Sequence, residues 1–261
     1  MIRIDQASFS YNDRPVLDRI DLTVEKGQMV ALSGPNGSGK TTLIKLACGV
    51  LHPNKGEVYL DGADVSQMKR RQVAQQIAVV PQQFFTPFAF TVREVVLLGR
   101  TPFLKAFSDE RQTDRQAVER AMDQVGIQGL KDRYFNEVSG GERQKAILAM
   151  ALAQEPQALL LDEPTAHLDI NHQVEILEMV RTLNRSHGLT VVGAIHDLNM
   201  TALYFDRAIL LKDGRVFADG PPSEVLTEET IRDVFSASVH VSRHPLTGAP
   251  HIIITPRDHP H

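Results

Sequence analysis

The 261-residue chain has little of several features that define common classes of protein. It contains a single cysteine, Cys48, which excludes an internal disulfide and fits a reducing compartment. The N-terminus has no apolar core of the kind found in signal peptides. The longest clearly apolar run, residues 146–153, is far shorter than the roughly 20 residues needed to span a bilayer. We therefore expect a chain that does not cross a membrane by itself.

An excess of basic residues is also missing. The formal net charge is -4, which argues against a nucleic-acid-binding protein, because such proteins usually carry a basic face. The hydrophobic content of 42% and the charged content of 23% are ordinary for a folded protein. A chain of this length can bury a substantial core, either as one large domain or as a domain with an inserted subdomain.

The hydrophobic pattern predicts strands on both sides of a mostly helical segment. Ile20, Leu22 and Val24 alternate with polar residues, which is typical of a half-buried strand. Helical spacing is found at residues 41–50 and again from about residue 88 to residue 154. Strand patterns occur at residues 20–24, 29–32, 56–60, 158–161, 190–195 and 207–219. This order indicates an α/β fold that contains a helical insertion.

A glycine-rich loop lies between a predicted strand and a predicted helix. Residues 34–41 read Gly-Pro-Asn-Gly-Ser-Gly-Lys-Thr and match the phosphate-loop pattern G-x-x-x-x-G-K-[ST]. Glycines let the backbone wrap closely around an anion, and N–H groups at a helix start favour phosphate. We expect Lys40 to reach the β- and γ-phosphates and the Thr41 hydroxyl to bind Mg²⁺. The flanking strand and helix favour this interpretation over a bare glycine-rich turn.

Two adjacent carboxylates, Asp162 and Glu163, follow three leucines at the end of a predicted strand. In phosphate-loop proteins the aspartate at this position holds the metal, directly or through water, which suggests Asp162 as a Mg²⁺ ligand. Glu163 is then placed to polarise an attacking water as a general base. An ordinary strand end with acidic residues is the alternative, and the neighbouring phosphate loop weighs against it.

Residues 138–144, Val-Ser-Gly-Gly-Glu-Arg-Gln, open another predicted helix. This segment closely resembles the signature motif of ATP-binding-cassette (ABC) ATPases, with Val138 where leucine is commoner. Ser139 offers a hydroxyl, and the two glycines let a second helix start approach a phosphate. Taken alone, an N-capped helix would explain the segment equally well.

The other motifs of the same family follow in order, so that the resemblance covers about residues 2–236. Tyr11 matches the aromatic residue that stacks on adenine, and Gln82 matches the glutamine that senses Mg²⁺ or water. Asp169 belongs to a segment, residues 166–169, that matches the D-loop, which crosses the dimer interface in this family. His196 matches the switch histidine near the γ-phosphate.

The resemblance implies a P-loop NTPase (RecA-like) α/β core with an N-terminal antiparallel β subdomain and an inserted α-helical subdomain. The expected boundaries are 1–86 and 156–236 for the core, 87–155 for the helical signature subdomain and 237–261 for a C-terminal extension. The expected catalytic residues are Glu163, His196 and Gln82, and the expected Mg²⁺ site comprises Thr41, Gln82 and Asp162. The expected ATP-binding residues are Tyr11, Gly34, Pro35, Asn36, Gly37, Ser38, Gly39, Lys40, Thr41 and Thr42. The partner subunit's ATP is expected to meet Ser139, Gly140, Gly141 and Glu142, with Asp169 in the D-loop.

The family also implies partners. Two copies would form a head-to-tail homodimer that sandwiches two ATP molecules, and ATP hydrolysis would open it. Transmembrane permease subunits would dock near residues 83–90, where Phe84, Phe85, Phe88 and Phe90 cluster, although core packing explains these aromatics equally well. The chain would lie at the cytoplasmic face of the inner membrane, with an extracytoplasmic substrate-binding protein as an indirect partner and no nucleic acid.

Three segments, residues 91–102, 164–170 and 239–253, resemble the subgroup that serves iron-siderophore, haem and cobalamin importers. Import of zinc or manganese is an alternative, as is a soluble cassette acting on nucleic acid or ribosomes. A regulatory cassette without turnover conflicts with the intact Lys40 and Glu163. Five of the ten histidines lie from His240 onward, and their irregular spacing favours a solvated tail over a metal site.

Overall fold

A computed structural model describes residues 1–104, 111–166 and 168–256. The strands, in chain order, are β1 (Ile2–Tyr11), β2 (Arg14–Val24), β3 (Met29–Ser33), β4 (Lys55–Leu60), β5 (Ala63–Asp64), β6 (Ile77–Val80), β7 (Ala158–Asp162), β8 (Thr190–Ala194), β9 (Arg207–Lys212), β10 (Arg215–Gly220), β11 (Val239–Arg243) and β12 (Pro250–Ile254). The α-helices are α1 (Lys40–Ala47), α2 (Arg70–Ala74), α3 (Val92–Leu97), α4 (Gln112–Gln124), α5 (Gly140–Ala153), α6 (Ile170–His187), α7 (Leu198–Tyr204), α8 (Pro222–Val225) and α9 (Glu228–Phe235).

Two sheets carry the architecture. The first is antiparallel, with strand order β2-β1-β4-β5, and comes from the N-terminal part of the chain. The second has the order β10-β9-β3-β8-β7-β6, and its strands are parallel except for β10. Parallel neighbours need crossover connections, which here are mostly helical. The fold is α/β with an N-terminal antiparallel sheet, as the sequence predicted.

The central strands of the second sheet are buried along their whole length. Every residue of β3, β7 and β8 is buried, which matches their nearly continuous apolar sequences. Since β8 pairs in parallel with both β3 and β7, the carboxyl ends of all three meet at one edge of the sheet. The glycine-rich loop follows β3, Asp162 ends β7, and His196 follows β8 shortly after its last residue. The sheet therefore brings the three motifs together.

Helices α3, α4 and α5 pack on one another and on the second sheet through one continuous apolar cluster. A buried arginine joins them at one end. Arg100 donates from Nε to Oδ1 of Asp114 on α4 at 3.0 Å and from Nη1 to the carbonyl oxygen of Ala153 on α5 at 2.7 Å. Because both charges are satisfied, this buried pair fixes the relative positions of the helices. None of the helices in the described part of the chain is long and apolar enough to span a bilayer.

The C-terminal extension differs from the solvated tail that the histidine spacing suggested. Strands β11 and β12 pair antiparallel, and the side chains of Val239, Val241 and Ile252 pack against an apolar cluster that includes residues of α8 and α9. Asn199 of α7 fastens the hairpin, because its amide donates to the carbonyl oxygen of Ile252 at 3.2 Å and accepts from the Ile252 N–H at 2.8 Å. The tail prediction is therefore wrong for residues 239–254, and His259 and His261 lie outside the described residues.

Gly99 offers a test of the packing between the end of α3 and α5. A methyl group on Gly99 would lie 1.9 Å from the carbonyl oxygen of Met150, a backbone atom that only a shift of α5 could move. We expect Gly99→Ala to lower the free energy of unfolding by about 1–3 kcal/mol, measured by urea denaturation. Gly129→Ala is the matched control, since a methyl group there meets nothing within 4 Å. Equal stability of the two variants would contradict this packing.

Candidate active site

The glycine-rich loop connects β3 to α1 and holds its lysine against its own backbone. Gly39 at the helix start has a φ of 103°, and a methyl group there would lie 2.5 Å from Cδ2 of Leu17. Both constraints require glycine. The Nζ of Lys40 donates to the carbonyl oxygens of Gly34 at 2.8 Å and Pro35 at 3.1 Å. Burial lowers the pKa of Lys40, and the charges of the neighbouring carboxylates oppose this shift.

A cleft of about 1450 Å³ opens beside this loop and is large enough for a nucleotide. Within the described residues the buried Oγ of Ser38 has no hydrogen-bond partner, and Ser38 is not among the residues that line the cleft. Tyr11 lies at the border of the cleft, 44% exposed, with its ring edge-on to Phe9. The residues of the predicted site that line the cleft are Tyr11, Asn36, Gly37, Gly39, Lys40, Thr41, Thr42 and Glu163.

Two of the three predicted magnesium ligands, Thr41 in the first turn of α1 and Asp162 at the end of β7, lie side by side. Thr41 donates its hydroxyl to Oδ1 of Asp162 at 2.9 Å. Burial raises the pKa of Asp162, and the hydrogen bond from Thr41 opposes that shift. A hydroxyl beside a carboxylate is the hard oxygen donor set that Mg²⁺ prefers, so the residues present fit this cation.

Glu163 lies between the two other predicted catalytic residues. Its Oε2 accepts a hydrogen bond from Nε2 of Gln82 at 2.6 Å, and its Oε1 lies 2.5 Å from Nε2 of His196. The backbone of Glu163 is left-handed, with a φ of 53°, while its N–H still donates to the carbonyl oxygen of Ala194. A non-glycine residue in this conformation is strained, which is common where a side chain must be aimed at a functional site. Glu163 follows β7, and the residues that contact its carboxylate follow the two neighbouring strands, β6 and β8.

The signature segment lies elsewhere on the molecule. Ser139 and Glu142 form a reciprocal capping box, in which Glu142 N–H donates to the Ser139 hydroxyl and Ser139 N–H donates to the Glu142 carboxylate. Among the described residues, those that line the cleft do not include the signature segment, residues 139–142. Asp169 caps α6 by accepting from the N–H of His172. One chain therefore has two separate helix starts, one beside the cleft and one away from it.

Part of the cleft wall is formed by residues that the sequence motifs did not predict. The cleft is also lined by residues of β2 and β4 in the first sheet and of β10 in the second, namely Arg14, Val16, Lys55, Arg215 and Phe217. Alternation of side chains along these strands could have indicated which residues face one side. It could not have shown that the two sheets border the same cleft, because that depends on how they pack.

This loop, its lysine and the adjoining carboxylates define a P-loop nucleotide-binding protein. The family model for ABC transporters matches residues 17–166, more than half of the chain. The chain therefore belongs to the ABC transporter family, as its motifs predicted. It is an ATP-binding subunit, an ATPase coupled to transport.

Two relatives illustrate the similarity. The chain is 36% identical to the ferric enterobactin transport ATP-binding protein of Escherichia coli over 97% of this chain and 93% of that protein. It is 44% identical to a cobalamin import ATP-binding protein of Halobacterium salinarum over 92% of this chain, and it spans 60% of that protein's length.

Two solved structures share the fold. A structure assigned to a metal-chelate type ABC transporter in an inward-facing conformation matches with a TM-score of 0.86 and 27% identity, covering 98% of both chains. A dimeric ATP-binding cassette in a post-hydrolysis state, bound to ADP and phosphate, matches with a TM-score of 0.73 and 27% identity, covering 85% of this chain and 99% of that chain. These likenesses confirm the predicted fold class.

Replacing the lysine of the loop tests its assignment. We expect Lys40→Ala to lower ATP turnover by about 100-fold or more, because it removes a fixed positive charge facing the phosphates. Phosphate release at saturating ATP measures the loss. Lys131→Ala, at an exposed lysine outside the cleft, serves as the matched control. Turnover that is the same in both variants would refute the role of the loop.

Proposed function

We propose that two copies of this chain assemble head to tail and hold two ATP molecules between them. In this arrangement the loop around Lys40 grips the nucleotide from one side, and Ser139, Gly140 and Gly141 of the other copy close on its γ-phosphate. The observation that carries the proposal is the exposed start of α5, which is suited to an anion but lies away from the cleft of its own chain. A related cassette was solved as a dimer bound to ADP and phosphate, which supports assembly of this chain as a dimer.

Hydrolysis would proceed at Glu163. The hydrogen bond from Gln82 and the contact with His196 hold the carboxylate in one orientation, so that it can accept a proton from an attacking water. Lys40 and the N–H groups of the loop would stabilise the charge that develops on the phosphate oxygens. Thr41 and Asp162 would hold Mg²⁺, and Gln82 would lie near the metal and the reacting water. When bound, the cation would neutralise charge on the β- and γ-phosphates.

The aromatic segment near Gln82 supports a docking site for a membrane partner. Phe84 packs edge-on against Phe135, and Phe90 packs against the core, whereas Phe85 and Phe88 are 86% and 68% exposed. Two large exposed apolar side chains on one short loop are suited to a partner surface. We assign this site to a helix of the transmembrane permease, which would place the chain at the cytoplasmic face of the inner membrane. A binding protein on the other side would deliver the cargo.

The cargo is proposed to be a metal chelate of the iron-siderophore, haem or cobalamin kind. Relatives with those printed functions cover nearly the whole chain, and a structural relative is of the metal-chelate type. We further propose that residues 87–155 act as the signature subdomain on a core of residues 1–86 and 156–236. Nucleic acid is not among the proposed partners, in keeping with the net charge of -4.

Glu163→Gln tests the shared site. We expect this variant to bind ATP, to hydrolyse it about 10²–10⁴-fold more slowly, and to accumulate as a nucleotide-bound dimer. Light scattering with and without ATP measures the mass, and phosphate release measures the rate. Glu224→Gln, at an exposed glutamate outside the cleft, is the control for charge removal. If Glu163→Gln remains a monomer at saturating ATP, the head-to-tail proposal is wrong for the isolated subunit.

Ser139→Arg tests the signature from the other side. Introduced into the Glu163→Gln background, it should abolish ATP-dependent dimer formation, because it places bulk at the partner subunit's phosphate. Ser139→Ala is the matched control. It loses the same helix cap, a loss that typically costs about 1 kcal/mol, but adds no bulk, and we expect it to keep most of the dimer. Full dimer formation by Ser139→Arg would contradict a role of the signature in the partner's site.

A further inference from the structure

His172 lies between two segments that the proposed dimer would send across to the partner. It is in the first turn of α6, and its Nδ1 is 2.8 Å from both carboxylate oxygens of Asp169. Its backbone N–H donates to Oδ1 of the same carboxylate at 2.9 Å. One aspartate therefore caps the helix and holds the imidazole ring at the same time, which leaves the ring with a defined direction.

The other edge of the ring covers the signature. A methyl group on Gly141 would lie 2.0 Å from Cδ2 of His172 and 2.4 Å from its Nε2. By contrast, a methyl group on Gly140 would meet nothing within 4 Å. Of these two glycines, only Gly141 is packed against a side chain of its own chain, and that side chain is His172.

A second contact between α5 and α6 lies one turn further along both helices. The Nζ of Lys145 on α5 lies 2.5 Å from Oε1 of Glu175 on α6, and the lysine side chain is only 17% exposed. Partial burial makes such a pair more restrictive than a pair at the open surface. The first two turns of α5 are thus joined to the first two turns of α6 by two successive contacts.

We propose that His172 is a positioning residue that joins Asp169 and the signature start into one unit, so that both reach the partner's ATP together. This inference rests on the proposed head-to-tail dimer. It implies that glycine at position 141 is required by the ring of His172 in its own chain, independently of any requirement at the nucleotide.

A suppressor experiment tests this. We expect Gly141→Ala to lower turnover by about 10- to 100-fold, because the ring must move and displace the signature. Adding His172→Ala removes the obstacle, and the double variant should regain at least about fivefold over Gly141→Ala. Gly140→Ala is the matched control, and any defect it shows should not be relieved by His172→Ala. No recovery in the double variant, or full activity of Gly141→Ala alone, would overturn the inference.

His172→Ala alone separates positioning from general damage. We expect its kcat to fall severalfold, while the Kd of the monomer for ATP stays within about twofold of the original, because the cleft around Lys40 is untouched. His172→Asn keeps a donor near Asp169 and should restore most of kcat. Equal loss of kcat in His172→Asn and His172→Ala, or a matching loss of ATP affinity, would contradict a positioning role.

The same variants in the Glu163→Gln background distinguish the two proposals. ATP-dependent dimer formation by the Glu163→Gln parent tests the head-to-tail assembly. A parent that dimerises, with a Gly141→Ala defect that His172→Ala does not relieve, overturns the role of His172 alone. A parent that stays monomeric overturns the assembly and the inference with it.

Discussion

The parallel pairing of β8 with β3 on one side and β7 on the other is the constraint on which the site depends. Each pair keeps an unshifted register to its last residues, so that Leu32 and Asp162 both lie beside Ala194. The three strands are buried on both faces. A slip of one residue would move every side chain of a strand to the opposite face, where it would meet different neighbours. The alignment therefore fixes where the loop, the acidic pair and the histidine emerge.

Two ionisable side chains, Lys40 and Asp162, are buried at this edge of the sheet. Burial lowers the pKa of Lys40 and raises that of Asp162, so each ionised form is disfavoured by its surroundings. A polyphosphate beside the lysine and a divalent cation beside the aspartate would oppose both shifts, because each favours the ionised form of its neighbour.

Local patterns in the sequence predicted most of the elements and the residues at their ends. The helix expected at residues 41–50 ends at Ala47, because Gly49 adopts a φ of 68° and its N–H turns back to Leu46. The meeting of Glu163 with Gln82 and His196 was predicted only through the resemblance to a family. No spacing rule links these residues, since their proximity follows from the strand order of the sheet.

Contacts between distant segments account for what the sequence did not reveal. His172 and Gly141 are brought together where the starts of α5 and α6 meet, and neither helix encodes that meeting alone. Val239 and Val241 alternate with polar residues, but the strands of the C-terminal hairpin are short and the apolar cluster that holds them comes from other segments, which the local pattern does not reveal. Phe84 and Phe85 are adjacent, yet one packs inward and the other faces solvent, which only the loop conformation decides.

The hairpin also determines how the end of the chain can be altered. Asn199 lies on α7, which begins just after His196, and its side-chain amide makes two hydrogen bonds to the backbone of Ile252 in the hairpin. Shortening the chain before Val239 would leave that amide without its partners and uncover apolar side chains of α8 and α9. Thr255, just past the hairpin, adds a further tie, because its backbone N–H donates to the carbonyl oxygen of Ser238, so neither a truncation before Val239 nor an insertion after Ile254 leaves this end of the fold intact.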